Sequence, residues 1–237
     1  MRNCTSVLAL FAAFVMALVN AAGVSADTIV YNIATGQGRT SDQNPLPADD
    51  VHGAAPENTA NSTWNGVEAA TNDMALKTST GADSPVRLTT SNLGGGSETT
   101  YWTGEYHRLF SFYTWGGGPY AISFTGLNAR STYDLLVYGQ HGWYDGDKGL
   151  AISQTAGTGL SGTFTLNANN NGIGMNAYVR DTDASNTPGN FNYVRLDGLA
   201  STSGGALSFS IAGINGGPMN GIQLVEHVAE GTIMIVR

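Results

Sequence analysis

The sequence predicts an all-β fold, a sandwich of two antiparallel sheets, and three observations carry that reading. Apolar and polar residues alternate with period two in one short segment after another, which is the pattern of half-buried strands. Turn-forming residues separate those segments. Composition agrees: there are 32 glycines, Ser, Thr and Asn are abundant, and charged residues make up only 12% of the chain. Gly and Asn serve turns and Thr serves strands, so the balance favours a turn-rich β protein over a helical one.

The N-terminus comes first. Arg2 precedes an apolar run from Val7 to Val19, and small residues then end in Val24-Ser25-Ala26. This is the layout of a secretory signal peptide, expected over residues 1 to 26 with cleavage after Ala26. An uncleaved anchor is the alternative, but the run is short against the roughly 20 residues a bilayer span needs. Cys4, the only cysteine, precedes the run and leaves with it. The mature chain is then thiol-free, which removes disulfides, cysteine nucleophiles and cysteine-ligated metals from consideration.

Strands are expected at "TIVYNI" (28 to 33), "MALKTS" (74 to 79), "PVRLTT" (85 to 90), "YAISFTGL" (120 to 127) and "TYDLLVYGQ" (132 to 140). Further strands are expected at "GLAISQT" (149 to 155), "GTFTLNA" (162 to 168), "AYVRD" (177 to 181), "NYVRLDGL" (192 to 199), "ALSFSIAG" (206 to 213) and "GIQLVE" (221 to 226). In "ALSFSI", Leu207, Phe209 and Ile211 face one way while Ser208 and Ser210 face the other, giving one dry and one wet face. Residues 34 to 72 hold Pro45, Pro47 and Pro56 and no sustained period; they read as a long ordered loop anchored by Trp64 and Val67. "EYHRLFSFYTW" (105 to 115) reads as a short helix or an irregular edge. In the loop "TGLNARSTY" (125 to 133), Gly126 and Asn128 are suited to left-handed backbone angles. No internal repeat is visible, so residues 27 to 228 are expected to form one domain, with 229 to 237 a short tail.

Four blocks in order, "STWNGV" (62 to 67), "FTGLNARSTYDLLVYG" (124 to 139), "NYVRLDGLASTSGGALSFSIAG" (192 to 213) and "NGIQLVE" (220 to 226), carry a family likeness through their spacing. Together they make the chain resemble secreted bacterial β-sandwich proteins of the PEP-CTERM-associated type. The resemblance implies a galactose-binding-like jelly roll in which "NGIQLVE" is the final strand. Asn220 is then expected to hydrogen-bond its own turn, Gly221 to allow a close backbone approach, and Ile222 and Leu224 to point inward. The chain departs from the family pattern at its end. Ala229 to Thr232 are similar to the start of a sorting tail, but Ile233 to Val236 is too short to span a membrane. The sorting tail is expected to be absent, degenerate or truncated, and a secreted or cell-surface location is expected, with no membrane span after signal cleavage.

Charge narrows the partners. The formal net charge of −8 becomes −9 once Arg2 leaves, because Lys+Arg falls from 10 to 9 against 18 acids. No basic stripe is present, so nucleic acid is not an expected partner. His52, His107, His141 and His227 are scattered without zinc spacing and read as surface or loop histidines. No nucleophile elbow, phosphate loop or dinucleotide fingerprint occurs. Glu105, Asp134, Asp145, Asp147 and Glu226 are acids near aromatic residues that a glycosidase would draw on, though Asp134 and Glu226 fall on strands and are expected to face solvent.

The richest stretch is "GQHGWYDGDKG" (139 to 149). His141, Trp143, Tyr144, Asp145 and Asp147 there offer aromatic faces for the C–H surface of a sugar and polar groups for its hydroxyls, and Trp102 and Trp115 make a second aromatic concentration. The competing reading makes Trp143 a plug on the core. Asp145 and Asp147 also suit a structural calcium ion, though the full calcium-loop pattern is absent; no other cofactor is expected. The sequence therefore points to a non-enzymatic binding or surface-matrix module, with polysaccharide or a cell-surface glycan as partner. The alternatives are a structural extracellular protein without a small ligand, and a glycan-degrading enzyme or its accessory domain. The Val-Ser-Ala site makes a definite expectation: exported protein begins at Asp27, which intact-mass measurement checks, and secreted material still carrying Met1 would contradict it.

Overall fold

A computed structural model describes residues 28–36, 53–55, 62–93, 95–97, 108–114, 119–139, 147–169, 178–182 and 191–229. The expected signal peptide, residues 1 to 26, and the residues beyond 229 lie outside these. In chain order the strands are β1 (Thr28–Thr35), β2 (Asn65–Val67), β3 (Met74–Lys77), β4 (Asp83–Ser91), β5 (Gly95–Ser97), β6 (Phe112–Thr114) and β7 (Tyr120–Thr125). They continue with β8 (Thr132–Tyr138), β9 (Asp147–Ala156), β10 (Thr163–Asn169), β11 (Arg180–Asp181), β12 (Tyr193–Leu199), β13 (Leu207–Ile214) and β14 (Gly221–His227). Among the described residues the only helical element is a single 3-10 turn, Arg108–Ser111, which within "EYHRLFSFYTW" is followed directly by β6.

Two six-stranded sheets form, in the orders β11-β12-β8-β14-β1-β2 and β10-β9-β13-β7-β4-β3, with β5 and β6 paired separately. Early strands pair antiparallel with late ones in a nested series: β1 with β14, β7 with β13, β8 with β12 and β9 with β10. That nesting across two sheets is the jelly roll. The short strands β2 and β11 are parallel additions at the two flanks of the first sheet.

One core fills the space between the sheets. Tyr31, Ile33, Leu135, Val137, Ile222 and Leu224 of the first sheet meet Leu88, Ile122, Phe124, Leu150, Ile152, Phe209 and Ile211 of the second. In the second sheet the alternation is clean, as in β13, where Leu207, Phe209 and Ile211 are buried and Ser208 and Ser210 are half-buried on the other face. The first sheet differs. β1, β8 and β14 are buried on both faces along most of their length, because Val30, Ala34, Leu136, Tyr138 and Val225 pack outward under Ala55, Trp64, Leu109 and Phe110. Residues 53–55 and Trp64 of the segment after β1, with the 3-10 turn, thus roof the first sheet, and Trp64 and Val67 are buried anchors, 2% and 3% exposed.

A sheet roofed on its outer side must satisfy its outward polar groups without water. Gln223 does this at the centre. Its Oε1 accepts from the Tyr138 hydroxyl and from Ala55 N–H (3.1 Å), and its Nε2 donates to Asn32 Oδ1 at 2.7 Å. Asn32 passes the chain on by donating to Thr63 O at 3.0 Å, and Ala54 N–H donates to the Tyr138 hydroxyl at 2.6 Å. The roof comes so close that a side chain at Gly53, whose φ is +82°, would collide with the Gln223 amide.

The flanks of the two sheets are tied by side chains. At one flank Asn65 of β2 behaves like a strand partner of β3, with Nδ2 donating to Lys77 O and Oδ1 accepting from Lys77 N–H, both at 2.9 Å. At the other, Asp181 of β11 accepts from Asn167 N–H of β10 at 3.0 Å.

The closing segment "GPMNGIQLVE" behaves partly as expected. Ile222 and Leu224 point into the core, and a Cβ on Gly221 would stand 2.7 Å from Ile33 O, so only glycine permits that approach. Asn220 Nδ2 donates to Phe110 O at 3.3 Å, tying the 3-10 turn to the last strand. The connection between β13 and β14, which crosses from one sheet to the other, turns at Asn215 and Gly216, with φ of 52° and 76°. In the loop before β8, Gly126 takes φ of 73°, but Asn128 stays out of the left-handed region; its Oδ1 accepts from Arg130 N–H and its carbonyl from the Tyr133 hydroxyl.

The roof makes an expected outcome. Gln223→Leu leaves Asn32 Oδ1, Ala55 N–H and the Tyr138 hydroxyl without their buried partner, so urea unfolding should lose about 2 kcal/mol or more. A change within about 0.5 kcal/mol, the range of an ordinary surface substitution, would contradict the roofing role.

Candidate functional site

The strand register sorts the connections between the two ends of the sandwich. Thr35, Ser91, Tyr138 and Asn169 finish their strands at one end, where Tyr120, Asp147, Tyr193 and Gly221 begin theirs. The longest connections leave that end, residues 36–64, 92–119, 139–146 and 170–179, alongside the shorter 68–73 and 215–220. At the opposite end the connections 126–131, 157–162 and 200–206 are no longer than seven residues.

Every residue that the sequence puts forward for ligand binding belongs to a connection leaving the long-loop end, or begins the strand after it. Trp102 and Trp115 lie between β4 and β7, and His141, Trp143, Tyr144 and Asp145 between β8 and β9; these six are outside the described residues. Asp147 opens β9, opposite Asn169 of β10, so it belongs to the sheet's end and not to a free loop. Among the described residues no group of three or more His, Cys, Asp or Glu is placed to hold a metal ion. No helix among them is long and apolar enough to cross a membrane.

At the same end a group of aromatic rings sits on the outer face of the first sheet. Tyr193 stacks on Tyr138 with centroids 5.6 Å apart and an interplanar angle of 27°, and Tyr178 meets Tyr138 edge-on at 5.5 Å and Phe110 at 5.7 Å. Phe110 and Tyr138 are buried, whereas Tyr178 and Tyr193 are half-buried. Burial holds the Tyr138 hydroxyl protonated far past the ordinary phenol range. Period-two reading missed this group, because Tyr178 falls outside β11, and Tyr193 only shows its outward side once β12 is paired.

Along the same face runs a chain of charges. Asp134, 4% exposed, accepts from Gly198 N–H at 3.0 Å through Oδ1; its Oδ2 lies 2.6 Å from Arg195 Nη2 and 2.7 Å from His227 Nε2. Arg195 Nε continues to Asp197 Oδ1 at 2.6 Å, and Arg180 Nη2 joins Asp197 Oδ2 and Arg195 O, both at 2.9 Å. Burial by itself would raise the Asp134 carboxyl, but the hydrogen bonds from His227, Gly198 and Arg195, with the Arg195 charge, outweigh it and hold the group below the usual carboxylate range.

Two expectations are corrected. Asp134 and Glu226 do not face solvent; they are 4% and 5% exposed. They also cannot act as a pair, because Asp134 points outward with Leu136 and Tyr138 while Glu226 points between the sheets with Ile222 and Leu224. Glu226 accepts from Ser131 Oγ at 2.8 Å and stands 3.5 Å from the Tyr31 hydroxyl. Burial and the nearby Glu226 charge push Tyr31 up to about 12 and raise Tyr133 as well. His227, expected on the surface or in a loop, ends β14 and is half-buried against Asp134.

Fold and site together define a jelly-roll β-sandwich with one loop-rich end, and an aromatic and ionic strip beside it. No family model, curated protein or solved structure matches the chain.

The ionic chain sets a pH dependence whose sign is fixed. A carboxyl whose folded pKa is depressed contributes stability that is complete above its unfolded value near ~3.9 and is lost as pH falls through the folded value. Asp134→Asn should therefore cost about 1 to 3 kcal/mol at neutral pH, and its gap from wild type should close in acid. Thermal melts from pH 7 to pH 2 measure it; a gap that stays constant would mean that Asp134 acts through shape and not through charge.

Proposed function

We propose that this protein is a non-enzymatic carbohydrate-binding module, exported to the cell surface or beyond, whose ligand is held at the loop-rich end of the sandwich. The observation that carries the reading is the asymmetry of the two ends. The aromatic and polar residues suited to sugars lie on connections leaving one end, and the half-buried Tyr178 and Tyr193 stand at that rim. Loops displayed from a rigid sandwich are a common place for recognition, and aromatic faces cover the C–H surface of a pyranose. The galactose-binding-like resemblance supports the ligand class by analogy of fold alone. Within the loop, His141, Trp143, Tyr144 and Asp145 are the recognition residues, with Asp147 at its base and Trp102 and Trp115 on the neighbouring connection.

Trp143→Ala tests this directly. Binding on a glycan array should be lost while the melting curve stays near wild type, since a loop-displayed ring adds little to the core. A core plug would instead cost about 3 to 5 kcal/mol, the range for truncating a buried Trp. A wild type without array hits, together with a strongly destabilised mutant, would leave the purely structural reading standing; release of product from a polysaccharide would favour the enzyme.

A further inference from the structure

The strip beside the rim has a lopsided hydrogen-bond capacity. Strand β12 presents Tyr193, Arg195 and Asp197 outward, spaced about 7 Å apart as every second residue of a strand is. β11 sets Arg180 directly beside Tyr193 in register. The acceptors are committed. Both oxygens of Asp134 and both of Asp197 already receive hydrogen bonds from Gly198, Arg195, His227 or Arg180. The donors are not. A guanidinium carries five N–H bonds, yet Arg180 uses only Nη2, and Arg195 only Nε and Nη2. Neither Nη1 has a partner among the described residues, and Arg180 Nε is buried with none. Arg180 and Arg195 side chains are 37% and 23% exposed, and neither Nη1 is fully buried, so these two donors are half-desolvated and still reachable, whereas Arg180 Nε is closed off.

A surface with surplus donors and spent acceptors selects an acceptor. Two neighbouring guanidiniums favour an anionic one, because charge-assisted hydrogen bonds are about twice as strong as neutral ones. The half-buried Tyr193 and Tyr178 supply apolar ring surface next to that anion-binding point. The chain's formal charge of −8 opposes a polymer charged at every residue. A lone carboxylate brought to the strip is spared, because at physiological salt the remaining charges are screened beyond about 8 Å.

We propose that the strip formed by Arg180, Tyr193 and Arg195 binds a glycan that carries an isolated carboxylate, such as a uronic acid residue. The Nη1 groups donate to the carboxylate, and the Tyr193 ring flanks the sugar. The glycan class is shared with the reading above, and the proposal rests on it only in that respect; the site and the charge of the ligand are independent of the loop from His141 to Asp145.

The test titrates the full chain by calorimetry with a glucuronic-acid-containing disaccharide and with the same disaccharide after its carboxyl is reduced to the alcohol. The acidic sugar should bind about tenfold tighter or better, and raising salt from about 50 to about 300 mM should weaken it. Arg180→Gln should abolish the preference with an unchanged melting curve, while Arg180→Lys, which keeps the charge but not the fork, should restore part of it. Equal binding of the two sugars by the wild type, or no binding of the acidic one, overturns the proposal without any variant. Loss of acidic-sugar binding in Trp143→Ala but not in Arg180→Gln would overturn the strip and leave the loop reading intact. The reverse result would support the strip even if the loop reading failed.

Discussion

The side-chain amide of Gln223 is the contact on which the outer layer of the first sheet depends. Its oxygen receives the Tyr138 hydroxyl and the Ala55 amide, and its nitrogen reaches Asn32, so a segment distant in sequence is fixed to the last strand in one orientation only. Flipping the amide would set donors against donors. Because β1, β8 and β14 are covered on both faces, water cannot substitute for a lost partner, and each polar group there has to be matched within the protein. Apolar roof residues such as Trp64 and Leu109 supply the burial, and the amide chain supplies the register.

The two sheets consequently do different work. The second is an ordinary half-buried sheet whose outer face carries short polar side chains such as Ser123 and Ser208, joined hydroxyl to hydroxyl at 2.7 Å. The first is an interior layer wherever its roof extends, and its β11 and β12 flank reaches solvent past that roof. There the stacked Tyr138 and Tyr193 mark the transition from a closed core to an open rim. The ionic chain through Asp134 begins where the aromatic roof ends, so the same sheet face passes from apolar to charged within a few residues of β12.

This division also decides what could be read from the sequence. Strands of the second sheet, such as "YAISFT" and "LSFSI", carry the period-two signal and lie where that signal places them. The first sheet is legible for another reason: "YDLLVY" is an almost unbroken apolar run, as a doubly covered strand must be. The three-residue strands β2, β5 and β6 escaped because no period can show in three residues. Asp134 and Glu226 were misjudged since charge suggests exposure, and only the pairing of β8 with β14 shows that partners on adjacent strands bury both. The aromatic strip was equally hidden: Tyr138 and Tyr193 are 55 positions apart and meet only through strand register. Of the candidate residues, the sequence indicates their loops, and the fold adds that those loops leave one end.

The side chains that tie the flanks of the sheets have a consequence for how such molecules can crowd together. An open sheet edge is a template on which another chain can add a strand, and that is the usual route from a β protein to a fibril. Here the backbone of Lys77 is already occupied by the Asn65 amide, and the backbone of Asn167 by the Asp181 carboxylate. At Lys77 and at Asn167 N–H there is therefore no open ladder for a neighbouring copy to extend, and contacts between copies at these positions have to be made through faces and loops.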